Sequence, residues 1–320
     1  MTTDYRLPGI SFIKLRFVLT AQAKTRLSAF KGSLLRKGFA EALRRNVCVM
    51  DWKTKCQSCF LRTECVFTRI FETIIQKDPP PFLSKQQYAL KPYVLDFADD
   101  GTNYKTGDPL TFDFVIMGNS AANIGMYIIA VQQMGKFGIG EKRSPFGDLK
   151  VFRDDGNGGW LEVYSQDSGV LKDAPNPVVI DTQPQPASKV KLHFLTPTSI
   201  KIDSSLSIDF NFRKLVFNML RRTLEAAFFY MPDASVDWEF KPYLKRASDI
   251  RITDKQLVWV DHHHFSGDKG DDLLLGGFKG EITIDGKLDH YIPLFRIAEI
   301  IHTGKRTSLG FGKMTFEIIQ

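Results

Sequence analysis

The sequence predicts an α+β protein with two ferredoxin-like domains in tandem. Two stretches of the chain each show strand, helix, two strands, helix and strand in that order. Their first helices begin near Phe30 and Asp209, and the glycine loops that follow their second helices begin at Gly135 and Gly304. Both offsets are about 170 to 180 residues, and a repeat of that size indicates duplicated domains rather than a solenoid.

The elements of the first copy follow from periodicity. Alternating apolar and basic residues predict a strand at 11–20, and apolar residues at helical spacing predict a helix at Phe30–Val47. Later elements are strands at Pro92–Phe97 and Thr111–Met117, a helix at Asn119–Met134, and strands near Leu149–Arg153 and Leu161–Tyr164. Residues 166–188 are rich in proline and predict a linker, so we expect domains at 1–170 and 186–320.

The second copy repeats the pattern after this linker. Its first element is a strand pair, or one strand bent at Pro197, within Val190–Ile202. The others are a helix at Asp209–Met231, strands at Leu257–Val260 and Phe278–Ile284, a helix at Tyr291–Ile301 and a strand at Met314–Ile319.

Composition narrows the class of protein. The hydrophobic content of 43% and charged content of 25% are ordinary for a soluble globular chain. No run approaches the roughly 18 apolar residues of a membrane span, and the N-terminus, M-T-T-D-Y-R-L-P, lacks the pattern of a signal peptide. We therefore expect a cytoplasmic protein with no membrane partner. A net charge of +7 and a pI of about 9.1 favour an anionic partner.

The cysteines form a candidate metal site. All four fall within one segment, at Cys48, Cys56, Cys59 and Cys65, with a C-x-x-C at its centre. Clustered thiols in a cytoplasmic chain favour a metal over disulfides. Zinc is the first expectation and an iron-sulfur cluster the second, but the spacing is not that of a standard zinc ribbon, so reduced structural thiols remain an alternative.

The stretch before the last strand has the composition of an anion-binding loop. Glycines, hydroxyls and cations alternate over 304–313, and the candidate ligand-binding residues are Gly304, Lys305, Arg306, Thr307, Ser308, Gly310, Gly312 and Lys313. The Walker pattern and the dinucleotide fingerprint are both absent from it. A tight turn with no ligand is the alternative.

The first predicted helix offers a second basic surface. The candidates for contact with phosphates are Lys31, Arg36 and Lys37, because this helix carries five cations and only one carboxylate, that of Glu41. A solvated basic face without a ligand is the alternative.

Three motifs resemble one known family. They are the loop h-G-K-x-T-S-h-G-h-G-K, the helix F-K-G-x-L-L-R-x-G-F-A-x-A-L-R-R-x-V-C, and G-G-F-x-G at Gly276–Gly280. Together they resemble the CRISPR-associated RAMP proteins, in particular the endoribonuclease that processes precursor CRISPR RNA. One branch of that family has a similar Cys-rich insertion, here 48–72, leading into an aromatic-Phe-Glu run.

The resemblance implies a fold and a function. The fold is tandem ferredoxin-like, RRM-like domains with a C-terminal glycine-rich loop. The implied partner is the repeat of precursor CRISPR RNA, and the implied reaction is cleavage without a catalytic cofactor to leave 2′,3′-cyclic phosphate and 5′-hydroxyl ends.

Histidine is the expected acid or base in such a cleavage. His302 directly precedes the glycine loop, where the family tends to have histidine, and His264 stands where the family often has arginine in D-x-x-R-Y-S. We therefore predict His302, His264 and the adjacent His263 as catalytic residues. His302 could instead cap its helix, and the three-histidine run could be a solvated loop or a metal chelator.

One departure from the family leaves the catalytic function open. Many members place a catalytic histidine in or near the first helix, whereas this chain has none before His193. The site is rebuilt in the second domain, or Lys31, Lys37 and Tyr5 replace histidine, or the protein binds RNA without cutting it. The last case predicts a non-catalytic RNA-binding subunit whose partners are other subunits of a CRISPR effector complex. An enzyme acting on a small phosphorylated substrate would need an acid-base pair or metal motif that the sequence does not show.

Overall fold

The computed structural model describes residues 5–75, 78–84, 86–97, 101–202, 205–265 and 272–320. Within these ranges, only the backbone is described for residues 81, 262–265 and 272–274. The chain divides into two compact units. We call Phe12–Pro177 the N-terminal module, and Val178–Gln320 with the described residues up to Ser11 the C-terminal module. This division differs from the predicted 1–170 and 186–320 mainly in the first residues: the ring of Tyr5 lies 5.2 Å from that of Tyr243.

The N-terminal module has the strand order of a ferredoxin-like sheet. Its strands are β1 (Ser11–Ala21), β2 (Thr25–Arg26), β3 (Tyr93–Asp96), β4 (Asn103–Tyr104), β5 (Pro109–Met117), β6 (Phe146–Asp154) and β7 (Trp160–Ser165), and its helices are α1 (Gly32–Val47) and α2 (Ile124–Phe137). The main sheet runs β3-β5-β1-β6-β7, and β1 pairs antiparallel with both β5 and β6. A 3-10 helix, Gly118–Asn123, precedes α2.

Alternation along β1 sets the core of this module. Ile13, Leu15, Phe17 and Leu19 are buried, while the residues between them lie towards the other face. Phe39 of α1 closes the core over this face, with its ring 5.0 to 5.6 Å from three aromatic rings, those of Tyr93, Phe114 and Tyr127. Aromatic packing of this kind fixes the helix against the sheet.

The C-terminal module repeats the arrangement. Its elements are β8 (Val178–Val179), β9 (Lys189–Thr198), β10 (Lys201–Ile202), β11 (Ser205–Leu206), α3 (Phe212–Tyr230), α4 (Lys241–Arg246), β12 (Arg251–Phe265), β13 (Asp272–Asp285), α5 (Ile292–Ile301) and β14 (Met314–Ile318). The sheet runs β12-β13-β9-β14 with antiparallel neighbours. α3 begins at an Asn211 cap, whose side chain accepts from the Lys214 N–H, and α3 and α5 bury their apolar faces over this sheet.

The predicted fold class is confirmed: both modules are β-α-β-β-α-β units with the same strand order. Several elements differ from the prediction, and the short strands β2, β4, β8 and β11 are among those that were not predicted. The predicted strand Leu257–Val260 is the middle of β12, which forms a long hairpin with β13, and α4 was not predicted. Over the described part of the chain, none of the helices combines the length and the apolarity that a membrane span requires.

Candidate nucleic-acid interface

The glycine loop between α5 and β14 is shaped by its own backbone packing. Gly304 and Gly312 have φ values of 81° and 76°, in the left-handed region. A Cβ at Gly304 would overlap the Ser199 carbonyl oxygen, and one at Gly312 would overlap that of Thr303. The Lys305 N–H donates to Ser199 O and the Gly312 N–H to Pro197 O, at 2.8 and 3.0 Å. These amides therefore hold the loop against the end of β9 instead of facing a ligand.

Cations cluster where this loop meets β10 and α3. Lys305 and Arg306 of the loop lie with Lys201 of β10 and Arg221 of α3, and we call these four the loop cation cluster. Burial lowers the pKa of Lys305 from its ordinary value, and the charges of Lys201, Arg221 and Arg306 lower it further. Such mutual repulsion is relieved when an anion binds among the cations.

One member of this cluster, Arg221, has a carboxylate partner. Arg221 Nε lies 2.8 Å from Glu225 Oε1, one helical turn along α3. Arg306 Nη1 donates to the Ser199 hydroxyl oxygen at 3.3 Å, and partial burial lowers the pKa of Arg306. The loop cation cluster therefore has the charge and position of an anion site.

Two predicted loop residues are turned inward. Thr307 and Ser308 begin the 3-10 turn Thr307–Leu309, and their exposed fractions are only 5% and 9%. Side chains this buried offer little surface to RNA, so contact of Thr307 and Ser308 with RNA stays a prediction. Gly310 ends the turn in the left-handed region, and Lys313 remains half-exposed.

His302 lies beneath the loop. It ends α5 with a φ of 62°, its exposed fraction is 3%, and its Nδ1 is 3.0 Å from the Phe311 carbonyl oxygen. A carbonyl can only accept, so Nδ1 carries the proton and donates. This geometry matches the predicted alternative of a helix-end histidine packed under the loop, while the catalytic role of His302 stays a prediction.

A buried arginine supports the same helix end. Arg222 Nε donates to the Ile301 carbonyl oxygen at 2.9 Å, and burial lowers the pKa of Arg222 to about 10. A cation at the C-terminus of a helix is favoured by the helix dipole. Arg222 and His302 thus fix the start of the glycine loop.

The predicted histidine run lies on the hairpin beside the loop. In the backbone register of β12 and β13, His263 pairs with Leu274 and His264 with Leu273, and the side chains of both histidines lie outside the described part of the structure. Asp261 pairs with Gly276, whose carbonyl oxygen accepts from the Ser199 hydroxyl. The histidine run therefore follows Asp261, whose strand partner Gly276 is hydrogen-bonded to Ser199, and Ser199 also contacts Arg306.

The structure corrects part of the predicted basic surface on α1. Lys31 is fully buried, and its Nζ donates to the Gly101 carbonyl oxygen at 2.7 Å, so its side chain does not reach solvent. Arg36 is half-buried with its guanidinium 4.6 Å from the Phe71 ring centroid, a packing contact. Lys37 is exposed, as a phosphate contact would require.

The four cysteines lie in a loosely packed segment of the N-terminal module. Each is half-buried, and burial raises the pKa of the Cys56 thiol. Among the described residues, no three cysteine, histidine or carboxylate side chains are arranged as a ready metal site. The cysteines do, however, share one cavity.

Sequence reasoning missed two members of the loop cation cluster. Lys201 and Arg221 are 104 and 84 positions before Lys305 in the numbering, so only the fold brings them to the loop. Two sequence features could have pointed to these residues. Arg221 lies on the outward face of a predicted helix, and Lys201 follows a bend at the end of β9.

Two family models match the chain. One, AF_1859_N, described as an N-terminal domain, matches residues 10–176. The other, described as CRISPR-associated endoribonuclease Cas6, matches residues 192–314. Together they span both modules. None of the curated proteins matches the sequence.

Solved structures show the same fold. A Cas6 product complex from Thermus thermophilus superposes with a TM-score of 0.55 at 13% identity, covering 96% of this chain and 99% of that one. A partial Cas6-RT-Cas1–Cas2 complex also gives a TM-score of 0.55, at 12% identity, covering 98% of this chain and 46% of that one. At such identities the likeness concerns the fold alone.

Proposed function

Because the chain belongs to the Cas6-like RAMP proteins associated with CRISPR, we propose that it is an endoribonuclease that binds and cleaves the repeat within precursor CRISPR RNA to release guide RNAs. The proposed reaction needs no metal ion and leaves 2′,3′-cyclic phosphate and 5′-hydroxyl ends. The loop cation cluster supports this function, since it brings four cations together on the C-terminal module.

The chemistry requires three elements that the C-terminal module can supply. A base takes the proton of a ribose 2′-hydroxyl, the oxygen attacks the adjacent phosphorus, and an acid protonates the departing 5′-oxygen. The phosphorane between them carries extra negative charge, which Lys305 and Arg306 would stabilise. Arg306 is half-buried, so water screens its charge less than at an open surface.

In this proposal the histidine run supplies one of the two proton-transfer groups, since neighbouring residues of a strand point to opposite faces of the sheet. His263 and His264 belong to β12, which pairs with β13. The Ser199 hydroxyl donates to the carbonyl oxygen of Gly276 in β13 and accepts from Arg306, so Ser199 connects this hairpin to the glycine loop. At about 3.3 Å per strand residue, the backbone of His264 is roughly 10 Å along β12 from Asp261.

His302 takes a positioning role in the same proposal. Its ring is buried and its Nδ1–H holds the Phe311 carbonyl, so it keeps the loop in the shape that presents Lys305 and Arg306. It would act through these cations and not on the substrate.

The decisive experiment uses a repeat RNA from the CRISPR locus that encodes the protein. The wild type is incubated with the RNA in EDTA and the ends are analysed; a second substrate carries a 2′-deoxy sugar at the scissile position. We expect cleavage of the first substrate to cyclic phosphate ends, and binding without cleavage of the second because its nucleophile is missing.

Histidine variants then separate the roles. His264→Ala and His263→Ala should each be compared with His290→Ala, a histidine outside the site. A true acid or base should lose on the order of 100- to 10,000-fold in rate with affinity held within a few-fold. If wild type binds the repeat but never cuts it, the protein is instead a non-catalytic RNA-binding subunit of an effector complex.

A further inference from the structure

We propose that the four cysteines of the N-terminal module bind one zinc ion. Cys48, Cys56, Cys59 and Cys65 all line a single cavity of about 150 Å³. Four sulfur ligands complete the tetrahedral shell that zinc takes in closed, structural sites. The site lies in the module that does not contain the loop cation cluster, so the proposal is separate from the proposed RNA cleavage.

Local structure places the thiols at the ends of regular elements. Cys48 follows α1, with its N–H donating to Arg44 O at 2.9 Å. Cys56 and Cys59 are the two ends of one tight turn, closed by a hydrogen bond from the Cys59 N–H to Cys56 O at 3.2 Å. Cys65 precedes the helical turn Thr68–Glu72. A turn between two helix ends is a suitable frame for four ligands of one ion.

The segment between these helix ends has no core of its own. No residue from 48 to 66 is fully buried, and apolar side chains point into solvent: Val49 is 82% exposed, Phe60 76% and Trp52 54%. Apolar packing therefore contributes little to holding this segment in place. Small segments of this kind are commonly stabilised by a metal or a disulfide, and metal binding then supplies part of the folding free energy.

The charge of the surroundings suits a thiolate site. A zinc ion with four thiolates carries a net charge of −2, which nearby cations stabilise. Arg44 is held inside the segment, since its Nη2 donates to the carbonyl oxygens of Trp52 and Thr54 at 2.9 Å each. Over 44–69 the cations outnumber the anions; the cations are Arg44, Arg45, Lys53, Lys55, Arg62 and Arg69, and the anions are Asp51 and Glu64.

Binding requires a local rearrangement. The thiols line the cavity without converging as a ready metal site, so the side chains would turn inward as the ion enters. Each thiol gives up its proton to solvent as its Zn–S bond forms, and four protons are released per ion. The half-exposed thiols are accessible for this step.

The test measures metal in full-length protein purified without chelators. We expect about one zinc per chain, loss of it in a Cys56→Ser/Cys59→Ser double variant, and retention in Ser58→Ala, a control in the same turn. Stripping zinc from the wild type should lower its Tm and make four thiols reactive towards a thiol reagent in the folded protein.

Cobalt provides a readout that does not depend on variants. Cobalt(II) added to stripped wild type should give the intense ultraviolet charge-transfer bands and visible bands of tetrahedral thiolate coordination. The proposal is overturned by protein that carries no zinc, by four thiols that react without stripping and leave Tm unchanged, or by iron and sulfide in place of zinc. If the double variant does not fold, the cobalt spectrum and the stripping experiment decide.

Discussion

Removing the loop cation cluster should weaken the salt dependence of RNA binding. The test variant changes Lys201, Lys305 and Arg306 to Ala, and keeps Arg221 so that Glu225 retains its partner. If each of the three cations contacts one phosphate of single-stranded RNA, the slope of log affinity against log salt falls in magnitude by about 0.7 per contact, or about 2 in all. Between 50 and 200 mM salt, the wild type should then lose roughly 18-fold more affinity than the variant.

The assay is fluorescence anisotropy of a labelled single-stranded repeat RNA at four or more salt concentrations. The control changes three exposed cations of the same module, Arg213, Lys241 and Lys245, and so removes the same net charge. We expect the control to keep most of the wild-type slope. An unchanged slope in the cluster variant, or an equal loss in the control, would refute a local phosphate site at the loop.

Three further predictions concern single residues. Partial burial, and then the charges of its neighbours, lower the pKa of Lys305, so RNA affinity should be at its full value at neutral pH and should decline as pH rises, at a lower pH than for an ordinary lysine. Lys305→Arg should remove this decline in a pH titration of binding. Gly312→Ala should lower the Tm measured by calorimetry more than Gly107→Ala does. Both glycines have a positive φ, which costs an alanine about 1 to 2 kcal/mol, but only the added Cβ at Gly312 would also overlap backbone atoms. His302→Ala should lower Tm and RNA affinity together, because the contact with Phe311 is lost; a loss of cleavage alone would make His302 catalytic instead.

The sequence predicted the repeated elements because each one has a buried and an exposed face. β1 alternates along its length and α3 keeps apolar residues at helical spacing, so each pattern has a single interpretation. The β12–β13 hairpin was only partly predicted. Asp254, Lys255 and Gln256 are a polar run within β12, and paired strands with two polar faces give no alternation to detect. The six-residue α4 is too short for a periodic signal.

The site was harder to predict because its charges come from distant positions. Lys31 begins a strongly basic helix, and nothing local shows that its Nζ donates a hydrogen bond to the Gly101 carbonyl oxygen or that its side chain is buried. The loop cation cluster has the opposite property: its members look ordinary in sequence and become a site only when β10 and α3 reach the loop. Composition identified the loop, while the fold determined which cations belong to it.

Both modules have a glycine-dependent loop after their second ferredoxin helix, α2 or α5, but the charges beside the two loops differ. The loop after α2 also needs glycine, since Gly138 has a φ of 86° and a Cβ there would overlap the Arg143 backbone, as a Cβ at Gly304 would overlap Ser199. In the N-terminal module, however, the Arg143 guanidinium lies 3.3 Å from Glu41 and so has a carboxylate partner. In the C-terminal module, Lys305 faces other cations. The duplicated fold therefore explains the glycines of both loops, and the cations around Lys305 support our proposal that the C-terminal loop is the one that binds RNA.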